Sequence, residues 1–424
     1  MNSLKLSLLL LKRDFKNFFL YTCSSIIIFM VLFGIFNIIY DPNIKSNLSQ
    51  GDYISLSSIH LIVLFIIMLI GYYSNNLFME KRKKEIAVQI ISGLSLNSLA
   101  FSTAVINIII SLISLIFGLL FGFLLSPLVL SIIYNVIGIN NTSFSLTNEG
   151  MIATLLMIFV NIFILGLFNV GLGYRTEICD LVRSKNGNYK TKIKKPSKNF
   201  FMIASLIVSL LFLFYMIFSN DFNDIPILGL LGSISTLIFT FYCLPSIFSK
   251  LSNKSSDKIN FLVFRNIKLN IEKNLGILIS IYLISGLLLV NLANFKSNIY
   301  LASAFSGSLI LLLFLFIIGT LYSFNSLATL KIRNFKILKQ LGYINSDIKK
   351  IIFKEALGFI FCISILPSVF LFVGIFKYYY LDIIPFFVLI SIVCIFLFLM
   401  ILCFGSCYVI YSKGLDSIFK NGGR

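Results

Sequence analysis

The sequence predicts an all-α polytopic membrane protein: ten transmembrane helices, arranged as two parallel four-helix repeats joined by two linking helices. Three observations carry that reading. The chain of 424 residues is 58% hydrophobic and only 12% charged, against about 45–50% and about 25% for a soluble chain. Ten charge-free stretches are each long enough for the ~20 residues that cross ~30 Å of hydrocarbon. Two basic loops 249 residues apart look alike. The composition excludes a disordered chain, a secreted disulfide scaffold and a soluble enzyme, because this much apolar side chain exceeds what one or two soluble cores hide.

Residues 1–16 come first. Leu4, Leu8, Leu11 and Phe15 recur at helical spacing, with Lys5, Lys12, Arg13 and Lys16 at other positions. That pattern predicts a helix lying in the membrane interface rather than a cleaved signal peptide. The spans then fall at 17–40, 59–79, 101–133, 151–174, 200–219, 226–248, 276–295, 299–326, 356–376 and 383–411. Runs such as Ile106 to Leu125 show none of the alternation of a barrel strand, and helices satisfy their own backbone inside lipid. Gly118 and Gly122 form a GxxxG pair, and Gly166, Gly171 and Gly173 line the fourth span; all five predict close helix packing. Pro127, Pro245 and Pro367 are expected to kink or end their spans. Tyr378–Tyr380, in a chain without Trp, are expected to anchor an interface.

Of the 35 Lys and Arg, all but Lys45, Lys296 and Lys377 fall in six segments that alternate between spans: 1–16, 80–100, 175–199, 249–275, 327–355 and 412–424. Basic loops face the cytoplasm, so both termini are expected inside. This one-sidedness accounts for the net charge of +19 through topology and contact with anionic lipid, without nucleic acid. Cys23, Cys243, Cys362, Cys394, Cys403 and Cys407 lie in spans and Cys179 in a basic loop, so neither a structural disulfide nor a metal site is expected.

No Asp, Glu, Lys or Arg lies well inside a span, and the sole histidine, His60, stands at the edge of the second. Ion-coupled carriers place such groups at mid-depth. The chain has neither a filter-like segment nor a G-x-x-x-x-G-K-[ST] phosphate loop. It is therefore expected to bind no cofactor itself, and ATP with Mg would act through another polypeptide. Asp41, Asp52 and His60 form the one cluster that an intramembrane enzyme on a lipid substrate would use. The loop separating them reads as solvating, and no catalytic residue is assigned.

The two similar loops are SNNLFMEKRKKEIAVQIISGLSLNSL, Ser74 to Leu99, and SFNSLATLKIRNFKILKQLGYINSDI, Ser323 to Ile348. Without a gap, Ser74 meets Ser323, Asn76 Asn325, Arg82 Lys331, Lys84 Arg333, Val88 Ile337 and Gly93 Gly342. Each loop takes a helix out of the membrane, through basic residues, to a glycine suited to a left-handed helix stop. LLKRDFKNFFLY before the first span and FRNIKLNIEKNLGILI before the seventh extend the match. Spans 1–4 would then repeat as spans 7–10 about an axis along the membrane normal. The expected divisions are a first unit at 1–174, a basic loop with spans 5 and 6 at 175–258, and a second unit at 259–424.

EKRKKEIAVQIISGLSLNSL resembles the FtsX-like permease family of bacterial ABC transporters, whose pattern sets basic residues, KEI and GLS ahead of a polar-to-apolar span. KIRNFKILKQLGYINSDI is a weaker copy without the Glu, and YRTEICDLVRSKN, Tyr174 to Asn186, is similar to the family's segment after the fourth span. The ten-helix topology is similar to the bacitracin-resistance type of permease. The resemblance implies two FtsX-like four-helix units in a bacterial cell membrane and a partner ABC ATPase in two copies. It implies movement or extraction of amphipathic peptides, as in antimicrobial peptide resistance or peptide export. A sensor kinase or an accessory membrane subunit is a further partner of this type. ATPase docking would fall on Lys83, Lys84, Glu85, Gly93, Lys336 and Gly342. The chain departs in one respect: where this type carries a large extracytoplasmic domain between the seventh and eighth spans, it has only about Asn294 to Asn298. Sensing through that domain is therefore not implied. An ATP-independent lipid or peptide flippase and an intramembrane enzyme on a lipid substrate stand as alternatives.

Overall fold

The computed structural model describes residues 15–138, 147–175, 198–219, 224–297, 299–384 and parts of 386–412. Among the described residues every regular element is a helix: α1 (Phe15–Ile39), α2 (Pro42–Ser46), α3 (Gln50–Ile91), α4 (Leu96–Ile137), α5 (Asn148–Arg175), α6 (Lys198–Phe218), α7 (Asp224–Lys254), α8 (Lys258–Lys273), α9 (Leu275–Ser297), α10 (Ile299–Gln340) and α11 (Asn345–Tyr380). Seven of these are long and apolar enough to cross a bilayer. An eighth joins them if Asn345–Cys362 and Pro367–Tyr380, bent by 45°, are one span. The apolar part of α9, Leu278–Asn294, is shorter. This is a multi-pass membrane protein. Nine of the predicted spans lie on helices, while 383–411 is described only in part and residues 1–14 and 176–197 lie outside the described residues. Pro367 stands at the bend in α11, whereas Pro127 and Pro245 sit inside α4 and α7.

The segment 41–58, read from sequence as loop, is mostly helical. Asp41 Oδ1 accepts from the backbone N–H of Asn43 at 3.0 Å and of Ile44 at 3.1 Å, and Pro42 opens α2. A capping acid followed by proline satisfies the free N–H groups of a helix start. Ser49 caps α3 in the same way, three residues before Asp52.

Two compact units form, one from residues 1–194 with Ser303–Leu315 of α10, the other from the rest of the chain. In the first, α1 is buried continuously from Ile28 to Ile39 and packs most extensively on α4. The GxxxG pair sets that seam: a Cβ at Gly118 would stand 2.8 Å from the Phe29 Cβ, and one at Gly122 would stand 2.8 Å from the Phe33 ring. Gly166 and Gly171 of the fourth span differ from expectation, while the surroundings of Gly173 lie outside the described residues. Nothing lies within 4 Å of a Cβ built at Gly166 or Gly171. A glycine leaves room for a neighbour, but its position on a helix does not say which face the neighbour takes.

In the second unit α7 packs against α6, α8 and α9. A Cβ at Gly232 would collide with the Phe370 ring, and one at Gly229 with Leu289. Leu289, Phe370, Leu371, Ile375 and Tyr378 belong to one buried core. Tyr378 donates its hydroxyl to the Leu289 carbonyl at 3.1 Å, so only Tyr379 and Tyr380 of the tyrosine run are exposed. Amphipathic α8 starts at an Asp257 cap, buries Val263, Ile267 and Ile271, and breaks from α9 at the buried Asn274.

Candidate functional site

The two helices that carry the similar loops, α3 and α10, are each 42 residues long, about 63 Å at the α-helical rise. Each ends at a glycine with positive φ, +91° at Gly93 and +90° at Gly342. No atom lies within 4 Å of a Cβ built on either one, so glycine is demanded here by backbone conformation and not by crowding. The closing bonds match one for one. Gly93 N–H donates to the Ile90 carbonyl at 3.0 Å and Leu94 N–H to that of Gln89 at 3.1 Å. Gly342 N–H donates to Lys339 at 3.1 Å and Tyr343 N–H to Leu338 at 3.1 Å. This pair of bonds is the Schellman arrangement, which satisfies the last carbonyls of a helix. The next helix follows at once, with Leu99 N–H bonded to Ser95 and Ile348 N–H bonded to Ile344.

Each turn presents apolar side chains to the surroundings. Val88 is 65% exposed, Ile91 66%, Leu341 70% and Ile344 68%, with Ile337 also exposed. None of these residues was among those expected to dock an ATPase, although Val88 and Ile337 are matched in the aligned loops. The signal was the equivalence of Val88 and Ile337 at the same offset as the glycines.

Glu85 is not at the tip of its turn. Its carboxylate lies 3.5 Å from Arg82 Nε, and its side chain is only 22% exposed. The Arg82 guanidinium is buried and sits over the rings of Phe18, at 5.4 Å, and Phe78, at 5.5 Å. This stack ties the end of α3 to α1. The side chains of Lys83, Lys84 and Lys336 lie outside the described residues. In the second unit, Glu355 is buried on α11 and accepts from Asn266 Nδ2 at 2.8 Å and Asn270 Nδ2 at 2.7 Å, both on α8.

Each residue considered for the enzyme alternative has a structural partner. Asp41 is spent on the α2 cap and on the Tyr134 hydroxyl, which donates to it at 2.5 Å. Asp52 accepts from Ser49 at 2.7 Å in the cap of α3. His60 is buried, with Nδ1 at 2.7 Å from the Leu56 carbonyl and its ring edge-on to Phe305.

The FtsX-like permease C-terminal family matches residues 57–178, which run from α3 through the first turn to the end of α5. A curated relative, the bacitracin export permease protein BceB of Bacillus subtilis (strain 168), is 23% identical over 255 residues. That match takes in 57% of this chain and 39% of the relative, so the chain spans about two fifths of the length of the relative it matches. Residues 57–178 thus match the FtsX-like permease C-terminal domain, and the chain as a whole is similar to permeases of that family.

Proposed function

We propose that this chain is the membrane subunit of an ATP-driven ABC transporter, with ATP and Mg bound by a separate ATPase dimer. Both termini and both glycine turns face the cytoplasm, where the 32 Lys and Arg of the basic segments lie. The observation that carries the reading is the pair of bond-for-bond identical turns, each at the end of a 42-residue helix and each with apolar residues exposed. Short helical ends seated in grooves of a soluble partner pass its closure into the membrane. The spans offer no charged path for a hydrophilic solute, which favours an amphipathic cargo drawn from the bilayer, with peptides as its class. Resistance to, or export of, antimicrobial peptides follows from the relative's name and is the finer part of this proposal.

The test is retention of the ATPase. In the full chain, Val88→Asp with Ile91→Asp should lower co-purification of the ABC ATPase about tenfold, the loss expected of an apolar anchor, with membrane insertion unchanged. Wild-type chain that holds no nucleotide hydrolase, or the double variant holding it normally, would end the reading.

A further inference from the structure

Four helices of the first unit meet at one buried polar cluster. Tyr21 of α1 donates its hydroxyl toward Asn75 Oδ1 of α3 and toward Asn107 Oδ1 of α4, each at 3.2 Å. Asn75 and Asn169 of α5 form a reciprocal amide pair, at 2.7 and 3.2 Å. The Ser24 and Ser74 hydroxyls touch at 2.7 Å beside it, again between α1 and α3. The Tyr21 ring stacks on Phe78 at 4.5 Å, and Phe78 in turn carries the Arg82 guanidinium at the end of α3. Tyr21, Asn75, Asn107 and Asn169 are each 1–2% exposed and lie in helices able to cross the membrane.

We propose that this cluster is the pivot on which α3 turns when its glycine-capped end is pulled; the proposal rests on the ATPase reading above. The α1–α4 seam, closed over Gly118 and Gly122, has no room to slide and serves as the frame. α3 is held to that frame by hydrogen bonds, which exchange where packed methyl groups would have to climb over one another. Tyr21 has a single proton and two acceptors at equal distance. Asn75 Oδ1 keeps a second donor in Asn169 Nδ2. Tyr21 can therefore donate its hydrogen bond to Asn107 alone as α3 rotates, and no buried acceptor is orphaned. Asn107 Nδ2, buried without a partner in this arrangement, is the one donor left to gain a bond. An unmet buried donor is unfavourable, so the arrangement is poised and not locked.

The test uses the full chain with its ATPase in nanodiscs, carrying Cys23→Ser, Ser24→Cys and Ser74→Cys. Disulfide formation between positions 24 and 74 is timed without nucleotide and after trapping with ATP and vanadate. The expected result is at least about fivefold slower cross-linking in the trapped complex, the worth of one hydrogen bond. Tyr21→Phe, which keeps the ring on Phe78, should erase that difference. Equal rates in the two states, with the ATPase bound and hydrolysing, would overturn the pivot and leave the transport reading intact. A difference that survives Tyr21→Phe would overturn the role of the shared proton. A chain that binds no ATPase would overturn both readings.

Discussion

At Gly93 and at Gly342 the chain turns with the same φ and the same two closing bonds, yet the helices on either side are held in different ways. The first turn restarts from Ser95, whose hydroxyl accepts from Ser98 N–H at 3.3 Å. The second restarts from Ile344, which offers no side-chain cap. The first is braced from the helix before it, by Arg82 between two aromatic rings and beside Glu85. The second is braced from the helix after it, by Glu355 gripped by two asparagines of α8. One glycine and backbone bonds are enough to define such a turn. What makes it rigid is supplied separately and need not match.

Six substitutions separate brace, turn and cap, each read as a change in thermal unfolding of the purified chain. Arg82→Ala removes two ring contacts and leaves Glu85 facing a half-buried site; a loss of about 3 kcal/mol is expected, confined to the first turn in a proteolysis map. Glu355→Gln swaps one accepting oxygen for a donor, so one of Asn266 and Asn270 faces an N–H; about 2 kcal/mol should be lost, from the second turn alone. Gly93→Ala and Gly342→Ala each force a side chain into left-handed backbone and should lose about 1–2 kcal/mol. Those two losses should agree closely, and a large gap between them would break the claim of a shared backbone. The smallest effect is at the caps: Ser95→Ala should lose, and Ile344→Ser gain, about 0.5–1 kcal/mol.

Much of the fold could be read directly. Long charge-free runs have few alternatives to helices in lipid, and the glycine stops at Gly93 and Gly342 were legible because positive φ is a single-residue demand. Gly118 and Gly122 were legible as a seam for the same local reason, while Gly166 and Gly171 showed that small residues alone do not choose a partner. The Tyr21 cluster left no trace in the sequence. Its members are 86 and 94 residues apart, and no helical period links them. Glu85 is a docking residue only by resemblance, as the acid of the KEI in the family's pattern. The packing of α1 against α3 adds what the sequence did not show, Arg82 over the Phe18 ring and 3.5 Å from the Glu85 carboxylate.

Asn75 divides α3 unequally: 16 residues separate it from Ile91 and 25 from Gln50. At the α-helical rise these arms are about 24 Å and about 38 Å. If α3 pivots there as proposed, the rotation is geared, and a displacement applied at the short arm would emerge at the far end of the helix enlarged by about half. A rotation of about 10° would carry Gln50 through roughly 6–7 Å, on the scale of a helix radius with its side chains. A modest stroke on one side would thus be enough to part neighbouring helices on the other.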